Sequence, residues 1–151
     1  MAPSDSTAHL RSIMVPVDGS HASMEAVGLA CDIARKNKGK VYVVHVIEVK
    51  RTLALDAAMD VEETAGDEVL AAAEGVAKGH GYEAEGEILH AREASSAIVD
   101  EAIERAVDLI IMGIEYQQPL GEFVLGKAVE SVLKNAACEV WVLRHAVEAT
   151  A

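Results

Sequence analysis

Apolar residues along the chain fall into two kinds of segment: short continuous runs, and longer stretches with an apolar residue every three or four positions. A continuous run that ends in Gly, Asp or Ser is typical of a strand buried on both faces, and the spaced pattern is typical of an amphipathic helix. The runs predict strands at Ile13–Val17, Val41–Val49, Tyr82–Leu89, Asp108–Gly113 and Glu139–Arg144.

Helical spacing fills the intervals between these strands. The first predicted helix starts near His21 and stops at Gly39, after basic residues that complement the helix dipole. The second occupies much of Leu55–Lys78, the third is capped by Ser95 or Ser96, and a short fourth precedes the last strand. The apolar residues predicted to line the inward side of the second helix are Val61, Ala65, Val69, Ala72 and Val76.

The regular alternation of strands and helices predicts an α/β fold, a doubly wound parallel sheet with helices on both faces, because parallel crossovers are almost always right-handed. We expect one domain over residues 11–146, a mobile leader at 1–10 and a tail at 147–151. Ligands of such sheets bind beyond the carboxyl ends of the strands, where the strand order reverses. Asp18 follows the first strand and Gly113 ends the fourth, so the two would border one crevice if these strands are neighbours.

Composition narrows the possible partners. Thirteen basic and twenty-five acidic residues give a formal net charge of −12, which disfavours nucleic acid and anionic membranes. No apolar run reaches the roughly eighteen residues of a membrane helix, and the start lacks the plan of a signal peptide. Cys31 and Cys138 form no CxxC pair, so we expect reduced thiols and a cytoplasmic location.

Four segments of the chain carry a recognisable order and spacing: IMVPVDGSHASMEAV, VVHVIEV, VDLIIMG and LGKAVESVLKNAACEVWVLR. Together they make the chain from Arg11 to His145 resemble the universal stress protein family. The resemblance implies a Rossmann-like sheet in the order 3-2-1-4-5 and an adenine-nucleotide site between the first and fourth strands. It also implies a homodimer, and a binding or regulatory role in the stress response rather than an enzymatic one.

Nucleotide-binding members of that family carry a loop signature of Gly, two residues, Gly, nine residues, then Gly followed by Ser or Thr. Gly113 and Gly126 match this frame, whereas Tyr116 stands at the second glycine and Lys127 at the hydroxyl residue. A glycine lets backbone N–H groups approach a phosphate and permits positive φ, which a tyrosine adopts only with strain.

Charge at the same loop adds a second obstacle. Glu115 and Glu122 would each repel a phosphate, by about 1 kcal/mol at 4 Å in water and about 4 kcal/mol at the effective dielectric of a protein surface. We therefore expect binding of ATP to be weakened or lost, and AMP or a nucleoside to be penalised less. Lys127 could instead contact phosphate and restore ATP binding, or point into solvent and pair with Glu122 or Glu130.

The resemblance assigns roles to the other pocket positions. Pro16, Val17 and Asp18 match the segment that contacts base and ribose, and Val46 matches the strand residue whose backbone meets the adenine. The positions matching those that line the phosphates are Met112, Gly113, Gly126 and Ala128. Asp18 could equally be a turn or capping acid, and Val46 and Met112 could also be core residues.

The last strand predicts a dimer interface, and the remaining polar residues predict no further site. If the last strand lies at a sheet edge, pairing with a second copy would protect it, with Val140, Trp141 and Val142 contributing apolar area. His45 is predicted to be packed and hydrogen-bonded, and no metal site or catalytic triad is expected. Slow ATP hydrolysis, and an interaction module with a collapsed crevice and no ligand, remain open alternatives.

Overall fold

The computed structural model describes residues 6–49, 55–115 and 127–146, with the backbone alone at 55–59 and 127. Strands and helices alternate strictly along the chain. In chain order they are β1 (Ser12–Pro16), α1 (His21–Asn37), β2 (Lys40–Glu48), α2 (Leu55–Gly79), β3 (Ala84–Ala91), α3 (Ala94–Glu104), β4 (Leu109–Gly113), α4 (Lys127–Asn135) and β5 (Glu139–Leu143).

The strands form one parallel five-stranded sheet in the order β3-β2-β1-β4-β5. The predicted doubly wound, Rossmann-like fold is therefore confirmed. The strand order reverses at β1, which pairs with β2 on one side and with β4 on the other, Ile13 facing Leu109 and Met14 facing Ile110. This reversal places the carboxyl ends of β1 and β4 side by side, where the sequence predicts a crevice.

Two apolar layers cover the sheet. Alternate residues of each strand point to opposite faces, so Ile13 and Val15 pack under α1 and α2, while Met14 packs under α3 and α4. The central strands are apolar on both faces because both faces are covered, and residues 109–112 of β4 are all buried. The core is thus built from aliphatic residues, as expected from an aromatic content of 3%.

The predicted inward face of α2 is confirmed only in part. Val69 and Val76 are half-buried and pack against the core, whereas the prediction is wrong for Val61, Ala65 and Ala72. The buried positions are Gly66, Leu70, Ala73 and Ala77, whereas Val61 is 70% exposed and Ala65 and Ala72 are exposed. Residues 60–65 are all exposed, and among the α2 side chains that the structure describes, from residue 60 onward, burial begins at Gly66. Val61 and Ala65 therefore do not indicate which side of α2 meets the sheet.

The start of α3 also differs from the prediction. The helix begins at Ala94, and its N-cap is Glu93, whose side chain makes no capping hydrogen bond. Ser95 and Ser96 lie inside the first turn, and Ser96 Oγ donates to the Glu93 carboxylate at 3.4 Å.

Arg105 joins α3 to the sheet. Its Nε donates to the Glu101 carboxylate at 2.7 Å, a second nitrogen donates to Glu87, and its guanidinium lies 4.6 Å from the centre of the Tyr42 ring. The hydrogen bond to Glu101 is the largest of the effects that raise the pKa of Arg105. This residue therefore connects α3, β2 and β3 on one face of the sheet.

Among the described residues, no helix combines the length and the low polarity that crossing a membrane requires. The turn that precedes β1 packs onto the domain, since Leu10 is fully buried and Asn37 Nδ2 donates to the carbonyls of Thr7 and Leu10 at 2.7 and 2.9 Å.

Candidate functional site

The candidate site lies at the carboxyl edge of the sheet, between β1 and β4. Because these strands are paired, Pro16, Val17 and Asp18 at the end of β1 lie beside the end of β4, where Met112 and Gly113 stand. The start of α1 borders the same edge, since its first turn packs directly against Gly113, and these three segments bound the place of the predicted crevice. The structure thus brings together the β1 and β4 residues singled out in the sequence.

Asp18 stabilises the turn that leads into α1. Its Oδ1 accepts a hydrogen bond from the backbone N–H of Ser20 at 2.9 Å, and Gly19 between them has a positive φ of 89°. Partial burial alone would raise the pKa of Asp18, but hydrogen bonds from Ser20 and Ser23 outweigh it and lower the pKa below its usual value. The predicted role as a turn acid is confirmed, and the side chain is an exposed carboxylate beside the crevice.

The backbone of Val17 is held on both sides. Its N–H donates to the Val44 carbonyl at 2.8 Å, and its carbonyl lies 2.8 Å from Nδ1 of His45. A carbonyl only accepts, so His45 carries its proton on Nδ1. Gly66 of α2 leaves room for the ring, because a Cβ there would lie 3.0 Å from His45 Cδ2. The prediction of a packed, hydrogen-bonded His45 is confirmed, whereas its partner, a crevice residue, was not foreseen.

Gly113 is required by the packing of the backbone. A Cβ at this position would lie 2.0 Å from the carbonyl oxygen of Ala22, which is fixed in the first turn of α1. Met112 is 7% exposed and belongs to the apolar layer under α3 and α4, against which half-buried Val46 also packs. Core packing therefore accounts for both Met112 and Val46, and this is one of the two roles predicted for them.

Glu115 is turned towards α1. Its Oε1 accepts a hydrogen bond from the backbone N–H of Ala22 at 3.1 Å, although the two residues are 93 positions apart. The direction of this side chain could not be derived from the sequence. Its carboxylate adds negative charge at the start of α1, against which Gly113 also packs.

The start of α4 carries two further residues predicted for the site. Lys127 is the first residue of this helix, and Ala128 is half-buried. Glu130, one of the two partners considered for Lys127, forms an ion pair with Lys134 at 3.3 Å. The predictions for Tyr116, Glu122 and Gly126 lie outside the described residues.

The predicted interface residues lie on a strand at the edge of the sheet, since β5 pairs only with β4 in the described part of the chain. Val140, Trp141 and Val142 are all half-buried against the core of their own chain, and Trp141 Nε1 donates to the Glu139 carboxylate at 2.6 Å. The other edge strand, β3, carries Glu85 and Glu87, both within reach of Arg105. The β5 edge is therefore the more apolar of the two.

Two open grooves lie apart from the crevice. One of about 580 Å³ lies at the amino ends of β2 and β3, between Lys40 and Lys78. The other, of about 510 Å³, lies between the end of β3 and α3, beside His90 and Arg92. Neither groove is lined by a residue predicted for the site. Within residues 6–49, 60–115 and 128–146, no group of three His, Cys, Asp or Glu side chains is placed to hold a metal ion.

Comparisons with known proteins cover most of the chain and agree on one family. Residues 9–144 match the model of the universal stress protein family. A universal stress protein of Methanocaldococcus jannaschii is 32% identical over 140 residues, covering 89% of this chain and 82% of the relative. The solved universal stress protein of Archaeoglobus fulgidus has a TM-score of 0.72 and 27% identity, covering 87% of this chain and 97% of its own. A structure from the same organism in complex with dAMP has a TM-score of 0.67 and 25% identity, with coverage of 87% and 96%.

Proposed function

Because this chain belongs to the universal stress protein family, we propose that it is a cytoplasmic, homodimeric binding or regulatory protein of the stress response. It takes an adenine nucleotide in the crevice between β1 and β4, and it acts by binding rather than by catalysis. The observation that carries this proposal is the pairing of β1 with β4, which brings Asp18 and Gly113 to one edge of the sheet. The dAMP complex of a similar protein supports an adenine nucleotide as the ligand class.

The phosphate end of this site is altered, so that ATP binding is weakened or lost. Tyr116 and Lys127 replace the second glycine and the hydroxyl residue of the family signature. Glu115 adds a carboxylate beside α1. The net charge of −12 also repels a polyanionic ligand that lies within the screening length of the protein surface.

Calorimetric titration with AMP, dAMP and ATP, with and without Mg²⁺, tests this proposal. We expect AMP and dAMP to bind more tightly than ATP. An ATP Kd below about 10 µM, or about −7 kcal/mol, with AMP no tighter, would refute the altered phosphate end. Under the proposal, combined Tyr116→Gly and Lys127→Ser substitutions strengthen ATP binding. If Lys127 instead holds the phosphates, the same substitutions weaken it.

The dimer is proposed to form through the edge of β5. An edge strand leaves backbone N–H and carbonyl groups unpaired, and pairing with the same strand of a second copy satisfies them. Trp141 is the single tryptophan of the chain, so its emission reports on this edge. Sedimentation velocity across a dilution series should give twice the chain mass, with a red shift of the emission at the dilution where the mass falls. A single-chain mass at every concentration refutes the dimer.

A further inference from the structure

Three backbone donors at the start of α1 are occupied by acceptors of the chain itself. Ser20 N–H donates to Asp18 Oδ1 at 2.9 Å, Ala22 N–H to Glu115 Oε1 at 3.1 Å, and Ser23 N–H to Ser20 Oγ at 3.2 Å. Two of these three acceptors are carboxylates. The helix start, which would otherwise attract a phosphate, therefore presents negative charge to the crevice.

Glu115 is held in this position by the backbone that precedes it. Gly113, two residues earlier, is pressed so closely against Ala22 that a Cβ would lie 2.0 Å from its carbonyl oxygen. Ile114 N–H then donates to the Leu143 carbonyl at 2.9 Å, which continues the pairing of β4 with β5. The backbone is thus fixed up to Ile114. The Glu115 carboxylate turns away only when its hydrogen bond with the Ala22 N–H is broken.

We infer that Glu115 determines which ligands the crevice accepts: it selects nucleosides and nucleoside monophosphates against di- and triphosphates. The inference rests on the proposed function, since it concerns the same crevice. Each further phosphate adds negative charge to the ligand, so the repulsion from a fixed carboxylate grows along the series adenosine, AMP, ATP. Asp18 has the same sign and stands on the neighbouring strand end, so it adds to the selection rather than opposing it.

Glu115→Gln separates charge from helix capping. The glutamine keeps an oxygen that accepts from Ala22 N–H, and it removes the negative charge. Glu104→Gln is the matched control, because Glu104 is an exposed glutamate at the end of α3, on the other face of the sheet. The dissociation constants of adenosine, AMP and ATP are measured by calorimetry for the wild type and both variants, at low and at high salt.

For Glu115→Gln we expect the affinity for ATP to rise by about tenfold or more, that for AMP by less, and that for adenosine by less than about twofold. The gain should shrink at high salt, since salt screens charges that are reached by solvent. Glu104→Gln should leave all three constants unchanged.

The outcomes distinguish this inference from the proposed function. If the wild type binds AMP and Glu115→Gln shifts ATP and AMP equally, or shifts neither, the crevice stands and the role of Glu115 is refuted. If neither protein binds any of the three ligands while thermal melting shows both to be folded, the proposed function fails and Glu115 is only a helix cap.

Discussion

Substituting Gly113 by alanine tests the close contact between β4 and α1 on which the shape of the crevice depends. The added Cβ would lie 2.0 Å from the carbonyl oxygen of Ala22, 2.5 Å from its carbonyl carbon and 2.9 Å from the nitrogen of Ser23. All three are backbone atoms in the first turn of a helix. Alanine has no rotamer that avoids them, so either α1 or the end of β4 must move.

The cost can be estimated from known effects of overpacking. Extra methyl groups in a tightly packed region cost about 1–3 kcal/mol, and a clash with backbone belongs at the upper end of that range. A shift of α1 would also disturb the caps that Ser20 and Glu115 provide, each typically worth about 1 kcal/mol. A loss of about 3 kcal/mol lowers the Tm of a domain of this size by about 6–12 °C.

Thermal melting without nucleotide measures this loss, and Gly75→Ala is the matched control. Gly75 lies within α2 and is exposed, and a Cβ added there would meet no atom within 4 Å beyond the backbone of its own helix. The same substitution at Gly75 should raise the stability by about 0.5–1 kcal/mol, because alanine is the better helix former. A Gly113→Ala protein with the Tm of the wild type or higher would show that the close contact does not exist.

Three further predictions concern other parts of the molecule. Arg105→Lys should lower the Tm by a few degrees, because lysine cannot hold the Glu101 hydrogen bond and the ring contact together; an unchanged Tm contradicts this. The folded pKa of Asp18 is depressed, so its charge stabilises the fold above the unfolded pKa of about 3.9, and this stability is lost as pH falls through the folded pKa. The stability difference between wild type and Asp18→Asn in urea should therefore shrink from pH 7 to pH 3, and a constant difference refutes it. Burial raises the pKa of both thiols, that of Cys31 to about 11, but Cys31 is fully buried and Cys138 only half-buried; in thiol titration at pH 8 Cys138 should therefore react first and Cys31 only on unfolding, and simultaneous labelling of both in the native protein opposes this.

The sheet was predictable because its signal is local. A strand buried on both faces must be largely apolar; β4 follows that rule along the sequence, and β2 follows it apart from His45 and its two end residues. The inward side of α2 was predictable only in part, since its apolar residues spread around the helix and residues 60–65 are exposed whatever their polarity. The pattern predicted Val69 and Val76, which do pack against the core, but it also predicted Val61, which is exposed, and it missed the buried Leu70 and Ala73.

The contacts that shape the site were not predictable for a different reason. The hydrogen bond of His45 to Val17 spans 28 residues, and that of Ala22 to Glu115 spans 93. Nothing near either residue in the sequence marks its partner, because the partner is set by the strand order. The residues at the strand ends could be predicted, while the direction of their side chains required the fold.

Gly113 and Glu115 illustrate why a signature glycine is a poor guide to what this crevice binds. The glycine is demanded by the approach of β4 to α1, so a chain that packs in this way keeps it whether or not a phosphate ever lies beside it. Packing does not require a charged side chain in place of Glu115, since a neutral glutamine would accept the same hydrogen bond from Ala22. Its negative charge is therefore the feature that packing leaves free to vary. A change in nucleotide binding by the Gly113→Ala protein would reflect disturbed packing of the fold. A change in nucleotide binding by the Glu115→Gln protein would reflect the charge that the ligand meets.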